Sequence, residues 1–317
     1  MPLITTAHLP SASNLGCWME NYTNMPIVEG SAAVPYSDTV TPKRLGTVSP
    51  LDPQMFSSIQ EFVKGETTKY SPLEVADWLA EMAGNALRDI DAAGRKTATS
   101  PVFRRFDEDI RILAGLGNFF SFQLRSAVFY ETWLGNHDPR QLEQACIAYG
   151  IACDSWRRFS ERAKTIYRAD ITFGDTKVRR GHWADRLPAI ERDFAAMKAL
   201  APGIQTAGTG MIAGRQKRSA MEMEHSPAAE FQPGKALLIS TRTKAATLQL
   251  VYRRVNQAER WVTAAMQRDG GSLRATIPAE YTNSPFHLQY YFAGESIYPG
   301  FSKGLSSQPY YFVKRAT

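Results

Sequence analysis

The densest collection of side chains able to do chemistry lies in Ala169–Pro188, read ADITFGDTKVRRGHWADRLP. Asp170, Asp175, His182 and Asp185 offer oxygen and nitrogen ligands, or a general acid and base. Arg179, Arg180 and Trp183 offer charge and a stacking surface for an acidic sugar. A second group precedes it in Cys17–Val28, CWMENYTNMPIV. There Trp18 and Tyr22 can stack on a ring, and Glu20, Asn21 and Asn24 can hydrogen-bond its hydroxyls. Glycoside hydrolysis needs two carboxyl groups about 5 to 10 Å apart across the sugar, and Glu20 with Asp170 or Asp175 is the pair to test. The same residues carry a plainer reading: Asp185 caps a following helix, Trp183 packs on a helical hairpin, and the Cys17–Val28 stretch docks by its aromatics.

Other chemistries find less support. The chain has no glycine-rich phosphate loop, no nucleophile-elbow serine and no paired CxxC motif, so nucleotide transfer, serine hydrolase chemistry and structural zinc lack positive signals. The spacing of the acidic and histidine residues matches no metal motif, and no metal or cofactor is expected. Glu222, Glu224 and His225 form a sparse group in a stretch that reads as a linker, where solvated charges are expected. Cys17, Cys146 and Cys153 are too few and odd in number for a disulfide framework. The last two lie two turns apart on one helical stripe, as buried thiols do.

The elements that must position these residues begin with two long helical patterns. Ser100-Pro101 supplies an N-cap and a proline at the first helical position, and Phe103, Phe106, Ile110, Leu113, Leu116 and Phe120 follow at three- and four-residue steps. Gly135 ends this pattern and Asp138-Pro139 restarts it. Leu142, Cys146, Tyr149, Cys153, Trp156 and Phe159 make the second stripe, so the short link predicts an antiparallel hairpin. Gly115 and Gly117 interrupt the first stripe with room for close packing or a bend. Upstream, Asp52-Pro53 opens a short helix ending at Gly65, and Ser71-Pro72-Leu73-Glu74 is a capping-box pattern opening another. A last helix runs from Asp185 to about Leu200.

The 317 residues therefore divide into an extended, proline-punctuated opening segment (1–50), an all-α domain of about five helices (51–200), a linker (201–234) and an all-β domain (235–317). In the last, LQLVYRRV, WVTAAMQRD, SLRATIP, FHLQYYF and PYYFVKR alternate with period two between turns such as Asp269-Gly270-Gly271. A small antiparallel sandwich of immunoglobulin or fibronectin III character is expected. Its aromatics, Tyr252, Trp261, Tyr281, Tyr290, Tyr291, Tyr298, Tyr310 and Tyr311, are either core and cross-strand pairs or an exposed glycan platform.

The sequences YTNMPIV, DITFGDTKVRRGHWADRLPAIERDF and VYRRVNQAERW through YPGFSKGLSSQPYYF resemble the C-terminal portion of large, poorly characterised bacterial proteins of glycoside hydrolase type. The resemblance is collinear over most of the chain. It implies a helical domain and a β-sandwich that follow a catalytic (β/α) barrel, with the catalytic carboxylates outside this sequence. Carbohydrate or an acidic glycan is the expected ligand and an upstream barrel the expected partner. A stand-alone glycosidase and a protein-interaction scaffold on the hairpin are the alternatives. With a formal charge of +6 and its basic residues spread along the chain, the only compact cluster being Arg215, Lys217 and Arg218, nucleic-acid binding is not expected. No apolar run reaches the roughly 18 residues of a membrane span, so a soluble protein is expected, cytoplasmic as written and secreted or periplasmic as part of a longer chain.

Overall fold

Serine followed by proline, or by glutamate three residues on, sets where the helices start. Ser58 accepts from the Glu61 amide at 3.1 Å and Glu61 Oε2 accepts from the Ser58 amide at 2.7 Å, opening α1 (Ile59–Lys64), which Gly65 closes in the left-handed conformation. Ser71 and Glu74 repeat the exchange at 3.1 and 2.8 Å to open α2 (Pro72–Thr97). Ser100 and Pro101 open α3 (Pro101–Asn136), and Asp138 and Pro139 open α4 (Pro139–Lys164). The computed structural model describes residues 26–28, 44–47, 54–65, 68–97, 100–170, 181–200, 223–256, 258–294, 297–298 and 310–316. The chain splits into two compact units, Met1–Gln216 and Lys217–Thr317.

In the first unit, α2, α3 and α4 run antiparallel in sequence. Ser121 Oγ donates to the Ala76 carbonyl across α2–α3, and Ser126 Oγ donates to the Ala145 carbonyl across α3–α4, both at 2.8 Å. The expected hairpin is thus present, with one correction at its turn. Gly135 stays within α3, and His137 is the residue that takes positive φ (55°), its amide on the Trp133 carbonyl at 2.7 Å. The extended conformation of Asp138, which the following proline favours, requires the reversal to fall there. Gly115 provides close packing: a Cβ there would sit 2.6 Å from that of Phe159. Phe119, Trp156 and Phe159 fill the space beside it with edge-to-face rings 4.7 to 4.9 Å apart. Cys146 and Cys153 are free and buried, and burial pushes their thiols up to about 11 and about 12, so both stay protonated. A 3-10 turn (Trp183–Arg186) leads into α5 (Leu187–Ala199), which packs on α4.

The second unit holds two sheets around one core. The first has order β1 (Met223–Glu224), β3 (Leu237–Thr243), β7 (Ser272–Ile277), β6 (Gln267–Asp269). The second has order β2 (Glu230–Phe231), β10 (Tyr311–Arg315), β8 (Leu288–Ala293), β4 (Gln249–Arg254), β5 (Val262–Ala265), with β9 (Ile297–Tyr298) also on β8. Pairing is antiparallel except between β2 and β10, which is parallel. Ile239, Leu273 and Ile277 from one sheet and Leu250, Tyr290, Phe292 and Val313 from the other share one buried cluster. A helix of four residues, α6 (Ala279–Thr282), links β7 to β8. The sheets begin earlier than the alternating pattern indicates, because β1 and β2 lie within the stretch read as a linker. Two-residue strands are too short to show a period.

Candidate functional site

The corner around Trp183 is built by packing against the hairpin. The 3-10 turn is capped by His182, whose Nδ1 accepts from the Ala184 amide at 3.0 Å, while Asp185 Oδ2 accepts from the His182 amide at 2.7 Å. Asp185 is therefore the returning carboxylate of the cap rather than the cap itself, and His182 takes the place expected of it. With Nδ1 accepting, the ring proton belongs on Nε2. Burial lowers the imidazole's affinity for a second proton, and the Ala163 carbonyl opposes that effect. Trp183 is anchored at both ends. Its carbonyl accepts from Trp156 Nε1 at 2.8 Å, and its ring meets Tyr167, His182 and Phe159 edge to face at 5.4, 5.5 and 6.3 Å. Asp170 is exposed and accepts from the Gly181 amide at 3.3 Å, a contact that ties the two ends of the 171–180 segment together. Trp183 packs on the hairpin as expected, while residues 171–180 of that stretch lie outside the described residues. Glu20, the carboxylate expected to face Asp170, lies outside the described residues.

Trp18, Glu20, Tyr22, Asn24, Asp175, Arg179 and Arg180 lie outside the described residues, as do Glu222 and the Tyr298 side chain. The opening segment is described at Pro26–Val28 and Arg44–Thr47, and there it docks by backbone and aliphatic contacts. Asp193 on α5 accepts from the amides of Ile27 at 2.7 Å and Val28 at 3.0 Å and from the Tyr149 hydroxyl at 2.5 Å. The Leu45 amide bonds the Pro26 carbonyl at 2.7 Å, and Arg44 pairs with buried Glu131 at 3.3 Å. Asp193 is a residue the sequence reading passed over. Its signal was a carboxylate on the apolar stripe Ile190, Asp193, Met197, a position that calls for a buried partner.

The aromatics of the second unit divide by strand alternation. Tyr252 and Tyr290 point between the sheets and are 4% and 0% exposed, and Tyr281 and Tyr311 pack against the same core. His225 joins them there. Its Nδ1 faces the Ser240 carbonyl at 2.7 Å and so carries the proton, which leaves Nε2 to accept from the Tyr290 hydroxyl at 2.6 Å. Glu224 points the other way, exposed beside Arg242, so the two are not joint ligands. Among the described residues, no group of three or more His, Cys, Asp or Glu could hold a metal ion.

On the opposite face of the second sheet lies a separate aromatic group. Tyr291 and Gln289 alternate with the core residues of β8, and Arg253 stands opposite Gln289 on β4. Trp261, just before β5, meets Tyr291 edge-on at 5.3 Å, and Tyr310 lies 4.8 Å from Trp261 and 5.9 Å from Tyr291. Tyr291 forms the buried floor, and Trp261 and Tyr310 are partly exposed. The Arg253 guanidinium sits over the Trp261 ring at 4.6 Å. With its amide carbonyl turned to the guanidinium, Gln289 accepts from Arg253 Nε at 2.6 Å and Nη2 at 3.0 Å. Sequence reasoning named the rings but not Arg253 or Gln289. The available signal was an arginine at an outward strand position next to a tryptophan.

No family model matches the chain, and no curated protein matches it in sequence. Among the described residues no helix is long and apolar enough to cross a membrane.

Proposed function

We propose that this chain is a non-catalytic, carbohydrate-associated region that supports or targets a glycoside hydrolase, with its glycan contact on the outer face of the second β-sheet. The observation that carries the reading is the shelf of Trp261, Tyr291 and Tyr310. A sugar's C–H face stacks on flat rings, and two of these three are partly exposed on the side of the sheet away from the core.

An immunoglobulin or fibronectin III type of sandwich fits the strand order. Taking β1, β3, β4, β5, β6, β7, β8 and β10 as A, B, C, C′, D, E, F and G gives A-B-E-D in one sheet and C′-C-F-G in the other. The connections from β3 to β4 and from β7 to β8 then cross between sheets, as they do in that architecture.

The test is retention of the full chain on a panel of immobilised polysaccharides, run beside an assay for release of reducing sugar. Retention without turnover, lost about tenfold in Trp261→Ala, is the expected result. Turnover abolished by Glu20→Gln or Asp170→Asn would replace this reading with a stand-alone glycosidase.

A further inference from the structure

The charge of this chain is distributed unevenly. Lys217–Thr317 carries 13 Lys and Arg against 7 Asp and Glu, a balance of +6 that equals the formal charge of all 317 residues and leaves Met1–Gln216 neutral. Within the second unit no described carboxylate is paired with Arg253. Glu224 is beside Arg242, Glu259 on Arg254 and Asp269 on Arg274, while Glu230 lies on strand β2 and Glu280 in α6.

Two adjacent arginines show the consequence. Arg254 is neutralised, with Nη1 on Glu259 at 2.9 Å and Nε and Nη2 on the Tyr281 carbonyl at 3.1 and 3.0 Å. Arg253, one residue earlier and on the opposite face, has the neutral Gln289 amide on Nε and Nη2, and no carboxylate pairs with it among the described residues. Gln289 and the Trp261 ring hold the guanidinium without cancelling its charge, and among the described residues Nη1 has no hydrogen-bond partner. A fixed, un-neutralised guanidinium beside a partly exposed ring suits a ligand that has a carboxylate and an apolar face in one unit.

We propose that the shelf selects an anionic glycan, a chain of uronic acid residues, whose carboxylate pairs with Arg253 while the sugar ring stacks against Trp261 and Tyr310. This rests on the carbohydrate reading above and deepens it by naming the ligand's charge. Hydrophobic stacking alone would take neutral and acidic sugars alike, so the arginine is what sets the preference. Arg253→Lys keeps the charge but loses the planar fork that Gln289 and Trp261 hold, so it should recover only part of the selectivity.

The experiment measures binding of the full 317-residue chain to polygalacturonate, to neutral galactan and to polyglutamate, a polyanion without sugar rings. The same probes are applied to Arg253→Gln and Trp261→Ala, with folding of each variant checked by circular dichroism. The expected result is preference for polygalacturonate, a loss of about tenfold on polygalacturonate in Arg253→Gln that exceeds any loss on galactan, and a loss on both sugars in Trp261→Ala. Equal binding of galactan and polygalacturonate, unaffected by Arg253→Gln but reduced by Trp261→Ala, would overturn the anionic preference and leave the carbohydrate reading standing. Equal retention of polyglutamate and polygalacturonate, indifferent to Trp261→Ala, would overturn it in favour of unspecific charge. Failure of both polysaccharides to bind would overturn the carbohydrate reading together with it.

Discussion

Two tryptophans, Trp183 in the helical unit and Trp261 in the β unit, are both partly exposed and differ in what meets their rings. Trp183 is closed in by Tyr167, Phe159 and His182, and its carbonyl is occupied by Trp156. Trp261 has a guanidinium over its ring and meets Tyr291 and Tyr310. The charges follow the same division. In the helical unit, arginines meet carboxylates across helices: Arg111 with Asp91, Arg125 with Asp77, Arg157 with Glu191 and Arg162 with Asp107. In the β unit the cations exceed the anions. The two rings therefore offer a ligand different things: Trp183 is set among aromatic neighbours, while Trp261 carries a cation on its face.

The largest expected effect comes from breaking the packing of the helical unit. Asp193 accepts three hydrogen bonds at 2% exposure, two of them from the backbone of the opening segment. Its removal would strand buried donors at Ile27, Val28 and Tyr149. Asp193→Ala should cost about 3 kcal/mol in urea unfolding followed by the helical signal, and should expose the segment around Ile27 to limited proteolysis. An unchanged midpoint would mean that the carboxylate is not holding that segment.

How much of this was legible in the sequence depends on the range of the interaction. Caps are local, so Ser71, Ser100 and Asp138 could be read directly, whereas the short helix expected to open at Asp52-Pro53 starts at Ile59 behind the Ser58 cap. Periodicity gave the hairpin and the longer strands, while β1 and β2 escaped because their pairing is decided by residues far along the chain. The site was less legible for the same reason. Spacing cannot say that Asp185 would be taken up by the His182 amide, that Asp193 would meet Ile27, or that Arg253 would have glutamine rather than a carboxylate opposite it. Each of these turns on a partner selected by the fold.

A smaller effect sharpens the comparison inside the β unit. Burial lowers the affinity of His225 for a proton below that of a free imidazole, whose pKa is 6.5, while its bond to the Ser240 carbonyl opposes this. The folded state thus favours the neutral ring and the unfolded state binds the proton more readily. The contribution is fully present above pH 6.5 and is lost as pH falls through the lower folded value. Wild-type unfolding midpoints should decline over that window more steeply than those of His225→Gln, in titrations that monitor the tyrosine near-ultraviolet signal. Parallel profiles would show that His225 is not held neutral by the aromatic cluster.

The smallest effect separates the neighbouring arginines. Arg254 bridges Glu259 and the Tyr281 carbonyl, so Glu259→Gln removes a charge partner from a partly buried pair and should cost up to about 1 kcal/mol. Arg253 has a neutral partner and an aromatic face, both replaceable by water, so Arg253→Gln should change stability by less than about 0.5 kcal/mol. Urea denaturation of the two variants tests the order. If Arg253→Gln proved the more damaging, its guanidinium would be a structural clamp between Gln289 and Trp261, and the division between a satisfied and an unsatisfied arginine on the two faces of β4 would fail.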